Sequence, residues 1–345
     1  MKPMRAQRMH PGLALAVALW VCQLAACADE PSAGADAGAR RVEEARFVTL
    51  GGLEQWITIR GDDDRNPILL LVHGGPGDVQ SVFVQTYAPY ERDFVLVQWD
   101  QRGAGKTFGR YGDATPELNL ERVTRDGIEL TEYLHDRFAD NEILLLGHSW
   151  GTAITTEMAL ARPALFAAYV GTGQIASWAE LVLWQFDFLQ AKAREAGNGE
   201  LSAELEAIGQ PDAANAEQYF SFTRSIRNDF GSADTAWLGS LLDRTRALVS
   251  AEELEALGNG MRFSGQSLIG TIMEEKLSTT ALRFDIPYYV IQGRDDVSTP
   301  TAPAEAYFEK VVAPKKAMVV IEGAGHFALA THAEEFIRAL RRMTQ

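Results

Sequence analysis

Apolar residues in this chain recur in two alternating patterns. Near-continuous apolar runs of strand length occur at residues 67–72, 94–99, 143–146, 166–170, 288–292 and 317–321. Such runs mark strands buried on both faces. Between several of them the period changes to that of a helix. Residues 118–138 place Leu120, Val123, Ile128, Leu130 and Leu134 on or near one face, and residues 152–161, 302–311 and 333–342 also predict helices. Ahead of the first buried run, residues 45–50 and 55–60 flank Gly51-Gly52, which predicts an antiparallel hairpin. Strands alternating with helices imply an α/β fold, with a mainly parallel sheet covered on both faces.

One stretch breaks the alternation. From residue 171 to 280 helical segments dominate, with breaks at Ala196-Gly197-Asn198-Gly199 and Ile208-Gly209-Gln210-Pro211 and no convincing strand. This reads as a helical cap inserted into the core, which would comprise residues 45–170 and 281–345.

Composition adds limits. Hydrophobic residues make up 46% of 345, enough for a sizeable core, and the formal net charge is -15. So acidic a chain disfavours nucleic acid as a partner. The N-terminus reads as a targeting segment: Lys2, Arg5 and Arg8 precede an uncharged apolar stretch over residues 12–26. That stretch is short for a membrane span and fits the apolar region of a signal peptide. It ends Leu24-Ala25-Ala26-Cys27, which resembles the lipobox of bacterial lipoproteins, where the cysteine carries lipid. The expectation is a signal peptide over 1–26, lipidation at Cys27, a flexible tether over 27–44, and export to a lipid-anchored position in a bacterial cell envelope. Cys22 and Cys27 are the only cysteines, so the mature domain would hold no disulfide.

The chemistry centres on Gly147-His148-Ser149-Trp150-Gly151, which follows a strand-length run and opens a helix-forming segment. That is the context of a nucleophile elbow, a sharp turn that lifts the Ser149 hydroxyl above the sheet and leaves the Trp150 amide at a helix N-terminus to stabilise an oxyanion. Beyond the strand at 288–292 comes Gly293-Arg294-Asp295-Asp296, and beyond the one at 317–321 comes Gly323-Ala324-Gly325-His326. An acid and then a histidine, each just past a strand, give the order Ser, Asp, His that suits an α/β-hydrolase. His326 would accept the Ser149 proton while Asp295 or Asp296 holds its tautomer. His148 adjoins the nucleophile, but its side chain should point away, so it reads as structural. The strand ending at Val72 delivers His73-Gly74-Gly75-Pro76-Gly77, a loop whose bare backbone lets N–H groups approach a ligand. No zinc-ligand spacing and no cofactor motif stand out.

These motifs, with Trp99-Asp100-Gln101-Arg102-Gly103-Ala104-Gly105-Lys106-Thr107, resemble the signature set of the proline iminopeptidase family of α/β-hydrolases. The resemblance covers about residue 47 to the C-terminus in layout. It implies Asp296 as the triad acid with Ser149 and His326, oxyanion amides from Gly75 and Trp150, and Gly74 in the substrate-binding loop. Asp100, Gln101 and Arg102 would form a buried polar network bracing that loop. Two departures leave the substrate less defined than the chemistry: His148 replaces a family glycine, and Thr107 replaces a serine. Family members that release N-terminal proline bind its ammonium with cap acids, and Glu180, Asp187, Glu274 and Glu275 are the candidates here, Glu274 and Glu275 foremost. The sequence thus predicts a serine hydrolase acting on a small peptide or ester. A prolyl aminopeptidase leads, ahead of an esterase or amidase with the same machinery. A non-catalytic, lipid-anchored binding protein is disfavoured by the complete triad, and an epoxide hydrolase or dehalogenase by serine where those enzymes carry aspartate.

Overall fold

The apolar runs and the hairpin ahead of them pair into one eight-stranded sheet, with strands in the spatial order 42–50, 53–61, 95–100, 68–72, 143–148, 168–172, 288–293 and 316–321. A computed structural model describes residues 38, 40–212, 215, 218, 219, 222 and 234–344. The expected signal peptide, Cys27 and most of the expected tether lie outside the described residues. No helix among the described residues is long and apolar enough to cross a membrane.

The hairpin is β1 (Val42–Leu50) and β2 (Leu53–Gly61), antiparallel to each other, with β2 also antiparallel to β4. Strand β1 begins at Val42, so residues 42–44 of the expected tether belong to the sheet. Backbone pairing and charge explain the difference: Glu43 lies opposite Arg60 and meets its guanidinium at 2.7 Å, and Glu44 pairs with Arg137. Charged side chains on an edge strand read as tether in sequence, because only one face of such a strand is buried.

The buried runs become β3 (Ile68–Val72) and β4 (Val95–Asp100), parallel to each other. Helices α1 (Gly105–Tyr111) and α2 (Leu120–Arg137) follow, then β5 (Ile143–His148), α3 (Gly151–Ala161) and β6 (Ala168–Thr172). Helix α1 carries two glycines in seven residues, which hid it from the sequence pattern. Between β6 and β7 come α4 (Trp178–Ala196), α5 (Gly199–Ile208), α6 (Asp234–Leu248) and α7 (Ala251–Glu274). The core resumes with β7 (Tyr288–Gly293), α8 (Thr301–Lys310), β8 (Lys316–Ile321) and α9 (Ala333–Thr344).

Strand residues alternate between two cores, as a period of two requires. Leu70, Val72, Val97 and Leu145 pack with Val123, Leu130 and Leu134 of α2 and Ile154 and Met158 of α3. Leu69, Leu71, Leu96, Leu144 and Leu146 pack on the other face with Phe336, Ile337 and Leu340 of α9. The central strands are therefore buried on both sides, and their polar loops collect beyond their C-terminal ends. That edge carries the site.

Candidate active site

Ser149 sits between the last residue of β5 and the first turn of α3, with φ at +55°. A left-handed conformation is strained for a residue with a Cβ, and neighbours must hold it. Its N–H donates to the Thr172 carbonyl at 3.0 Å, and its carbonyl accepts from the Thr152 N–H at 2.8 Å and hydroxyl at 2.7 Å. Trp150, buried, caps α3, so its amide lies at the positive end of that helix.

The loop after β3 lies directly on this turn. A Cβ on Gly74 would come within 2.6 Å of the Ser149 Cβ and 3.0 Å of the Trp150 nitrogen, so only glycine permits the approach. Buried His73 fixes the loop: its Nδ1–H donates to the Gly74 carbonyl at 3.0 Å, and Nε2 accepts from the Gln101 N–H at 3.4 Å. Burial pushes its pKa down to about 4, which keeps the ring neutral. Gln101 returns a bond to the His73 carbonyl at 2.9 Å, and Asp100 accepts from the Ser81 hydroxyl at 2.5 Å and the Lys106 N–H at 2.8 Å. Asp100 and Gln101 are therefore a buried network behind the loop, whereas Arg102, expected to join it, turns away to Asp126 and the carbonyls of Gly51 and Pro116.

His326 and Asp296 meet at 2.9 Å through Nδ1 and Oδ2. Asp295 is exposed, while Asp296 is buried. The Asp296 carboxylate also accepts from the N–H groups of Ser298 and Thr299 at 2.8 Å each and from the Thr299 hydroxyl at 2.7 Å. Burial alone would push its pKa up. His326 beside it and the Thr299 bonds outweigh that and hold it below the ordinary carboxylate range. Gly173, at φ +55°, joins the pieces: it follows Thr172, which holds the Ser149 N–H, and a Cβ on it would reach 3.0 Å from the His326 ring. The serine turn and the imidazole thus share one two-residue wall. Sequence reasoning missed Gly173, whose one signal was its place just past β6.

His148 points away from Ser149, back under the imidazole. Its ring lies 4.8 Å from that of His326, its Nε2 is 3.0 Å from the His326 carbonyl oxygen, and Nδ1 is 2.9 Å from Gln80 Nε2. From the cap side, Asp234 at the start of α6 accepts from the Phe327 N–H at 3.2 Å, and Trp237 packs on the Phe327 ring at 5.4 Å. The second Asp234 oxygen is buried without a hydrogen-bond partner among the described residues, and burial pushes this carboxyl up.

The cap acids singled out from sequence lie elsewhere. Glu180, Asp187 and Glu274 are exposed. Glu275 is half-buried, accepts from the Lys276 N–H at 3.0 Å and is pushed up by burial, then by Glu157 of α3. Neither Glu274 nor Glu275 bonds to Ser149, Asp296 or His326 among the described residues. Asp234 is the acid that reaches the His326 loop, and nothing in the sequence marks it among 47 acids. Among the described residues no group of three His, Cys, Asp or Glu side chains could hold a metal ion.

The sequence profile of the alpha/beta hydrolase family matches residues 69–339. A Bacillus subtilis (strain 168) protein named probable aminopeptidase YbaC is 26% identical over 293 residues, 84% of this chain and 91% of that protein. A proline iminopeptidase of Lactobacillus helveticus (strain DPC 4571) is 23% identical over 296 residues, 84% of this chain and 94% of the relative. A proline iminopeptidase-related protein from Thermus thermophilus has a crystal structure of the same fold, with a TM-score of 0.58 at 18% identity over 88% of this chain and 97% of that one.

Proposed function

This chain belongs to the alpha/beta hydrolase family, and from that premise we propose that it is a serine hydrolase forming an acyl-enzyme at Ser149, an aminopeptidase of the prolyl iminopeptidase type that releases N-terminal proline or small apolar residues. One observation carries the reading: Ser149 in its left-handed turn shares a wall with a His326–Asp296 pair at 2.9 Å. Ser149 Oγ attacks the substrate carbonyl while His326 Nε2 takes its proton. The amides of Gly75 and Trp150 donate to the oxyanion, where charge develops. Collapse breaks the C–N bond and the imidazolium gives its proton to the leaving amine. Water, deprotonated by the same nitrogen, then releases the acyl group and restores the hydroxyl. Asp296 holds the Nδ1–H tautomer throughout.

The aminopeptidase part rests on the names of the relatives and on Asp234. An α-ammonium taken out of water needs a carboxylate, and the Asp234 carboxyl beside the His326 loop, one oxygen of which has no hydrogen-bond partner among the described residues, supports that reading. An esterase or amidase would use the same serine without needing that charge. Assay of the full chain on a prolyl-arylamide and a short-chain aryl ester, beside Ser149→Ala, separates the two. Arylamide turnover that disappears in the variant is the expected result. Ester turnover alone would replace the aminopeptidase reading by the esterase one. No turnover of either, with no labelling of Ser149 by a fluorophosphonate, would leave the binding-protein reading.

We also propose export and lipid anchoring, on the basis of the charged, apolar and Leu-Ala-Ala-Cys segments over residues 1–27. Cys27→Ser is expected to move the protein from the membrane fraction to the soluble one, and an unchanged distribution would overturn the anchor.

A further inference from the structure

His148 stands where the related signature has glycine, and its ring is neither loose nor exposed. It is 1% exposed and both nitrogens are engaged. The direction of every bond around it follows from one atom. The His326 carbonyl oxygen can only accept, so His148 Nε2 must carry the hydrogen. Nδ1 must then accept, so Gln80 presents its amide N–H₂. The Gln80 oxygen is left to accept, and the Tyr87 hydroxyl donates to it at 2.9 Å. Gln98 fixes the backbone of this arm by donating to the Gln80 carbonyl at 3.1 Å. Burial pushes the Tyr87 hydroxyl far up, so it stays a donor. The chain therefore runs one way, from Tyr87 through Gln80 and His148 to the backbone of His326.

We propose that His148 is a positioning residue for the reaction: the Tyr87–Gln80–His148 chain grips the His326 carbonyl and sets where the imidazole stands against Ser149. This rests on the serine-hydrolase reading. The base is bonded to Asp296 through Nδ1 alone, and a ring held at one nitrogen can still swing with its backbone. A hydrogen bond to its own carbonyl removes that freedom, and displacement of a reacting group by about 1 Å can cost a hundredfold in rate. With Gln80 presenting its N–H₂ to Nδ1, the arm as built holds His148 neutral. Its pKa is pushed down to about 3, chiefly by burial and then by His326, with Asp296 acting in the opposite sense and His73 in the same one.

The test uses the full chain and the rate at which a neutral fluorophosphonate labels Ser149, followed against pH. His148→Phe keeps the ring and loses both bonds, and the labelling rate and kcat are expected to fall about ten- to a hundredfold with KM within about threefold. His148→Gln can donate to the same carbonyl and accept from Gln80, and is expected to recover most of the loss. Gln80→Glu gives the sharper readout. Its carboxylate forces hydrogen onto Nδ1, so the carbonyl is gripped only while His148 is doubly protonated. The rate should then fall at higher pH as His148 loses its second proton, a fall that the wild type does not show. Failure of the wild type to label would overturn this proposal together with the serine-hydrolase reading. Labelling of the wild type with an unchanged rate in His148→Phe would overturn this proposal alone. So would equal losses in the Phe and Gln variants, or a Gln80→Glu profile of wild-type shape.

Discussion

Two buried polar clusters begin just past the ends of strands in the same sheet, and they are completed differently. Around Asp126 every charge is matched. Its carboxylate accepts from Arg102 at 2.8 Å, Gln55 at 2.7 Å and Arg122 at 2.9 Å, and Arg102 spends its remaining donors on the carbonyls of Gly51 and Pro116. Around Asp296 the carboxylate is equally saturated, yet among the described residues the ring of its partner His326 makes hydrogen bonds only through Nδ1. The first cluster ties β2, the loop after β4 and α2 together. The second leaves one imidazole nitrogen without a hydrogen bond among the described residues, and Thr172, next to the Gly173 that lies against the ring, holds the strained serine. Complete satisfaction stabilises a fold, and incompleteness at one chosen atom is what chemistry requires.

Asp296→Asn tests the second cluster and should show the largest effect. The amide keeps the shape but can present N–H₂ to Nδ1, inverting the tautomer, and kcat is expected to fall on the order of ten-thousandfold with little change in the denaturation midpoint. A loss below tenfold would move the triad acid elsewhere. Asp126→Ala tests the first. It leaves Arg102, 2% exposed, without its counter-charge. Removing one partner of a buried pair costs about 3–5 kcal/mol, visible as a lower urea midpoint, while kcat of the folded protein stays within about threefold. If kcat fell with stability intact, the distinction between the clusters would fail.

The two clusters were not equally readable. Ser149, Asp296 and His326 each follow an apolar run, and glycine precedes each within the same short turn, at Gly147, Gly293 and Gly325, so the strand pattern located them. The choice of Asp296 over its neighbour needed the family resemblance, and the structure gives its physical reason in the burial of one and exposure of the other. Arg102 and Asp126 are separated by α1, a loop and the first turns of α2, and Asp126 lies among the charges of α2 in a stretch that reads as solvated. The parallel sheet was legible because burial on both faces removes the polar alternation. Gln80, Gly173 and Asp234 were not, because each acts through a neighbour that only the fold supplies. The same holds for residues 42–44 at the start of β1, whose charged side chains concealed their backbone pairing.

Acid should separate the fold from the catalytic base. His73 and His148 are buried and neutral, with pKa values pushed down to about 4 and about 3 from an ordinary 6.5. Between the lowered values and 6.5 the unfolded chain binds more protons than the folded one, so stability rises with pH and is lost as pH falls. Each histidine contributes about 1.4 kcal/mol per pH unit across that window. Urea midpoints from pH 7 to 5 should decline accordingly, and His148→Phe should flatten the slope by one proton. A slope unchanged in that variant would mean that His148 is already charged in the fold.

The smallest expected effect concerns the cap. Asp234 touches the His326 loop through a backbone N–H, so it could serve the loop, the substrate, or both. Asp234→Asn retains an oxygen for the Phe327 N–H and removes the charge. If its free oxygen receives an ammonium, KM for the prolyl-arylamide should rise about tenfold, the cost of about 1.4 kcal/mol of lost ion pairing at a partly buried site. KM and kcat for a neutral aryl ester should hardly change. Equal losses on both substrates would instead assign Asp234 to the loop, making the cap a brace for the base and removing the charge-based argument for an aminopeptidase. The comparison of substrates is therefore more informative than either rate alone. An uncharged ester reports the serine, the imidazole and Asp296, and only the amine reports the carboxylate above them.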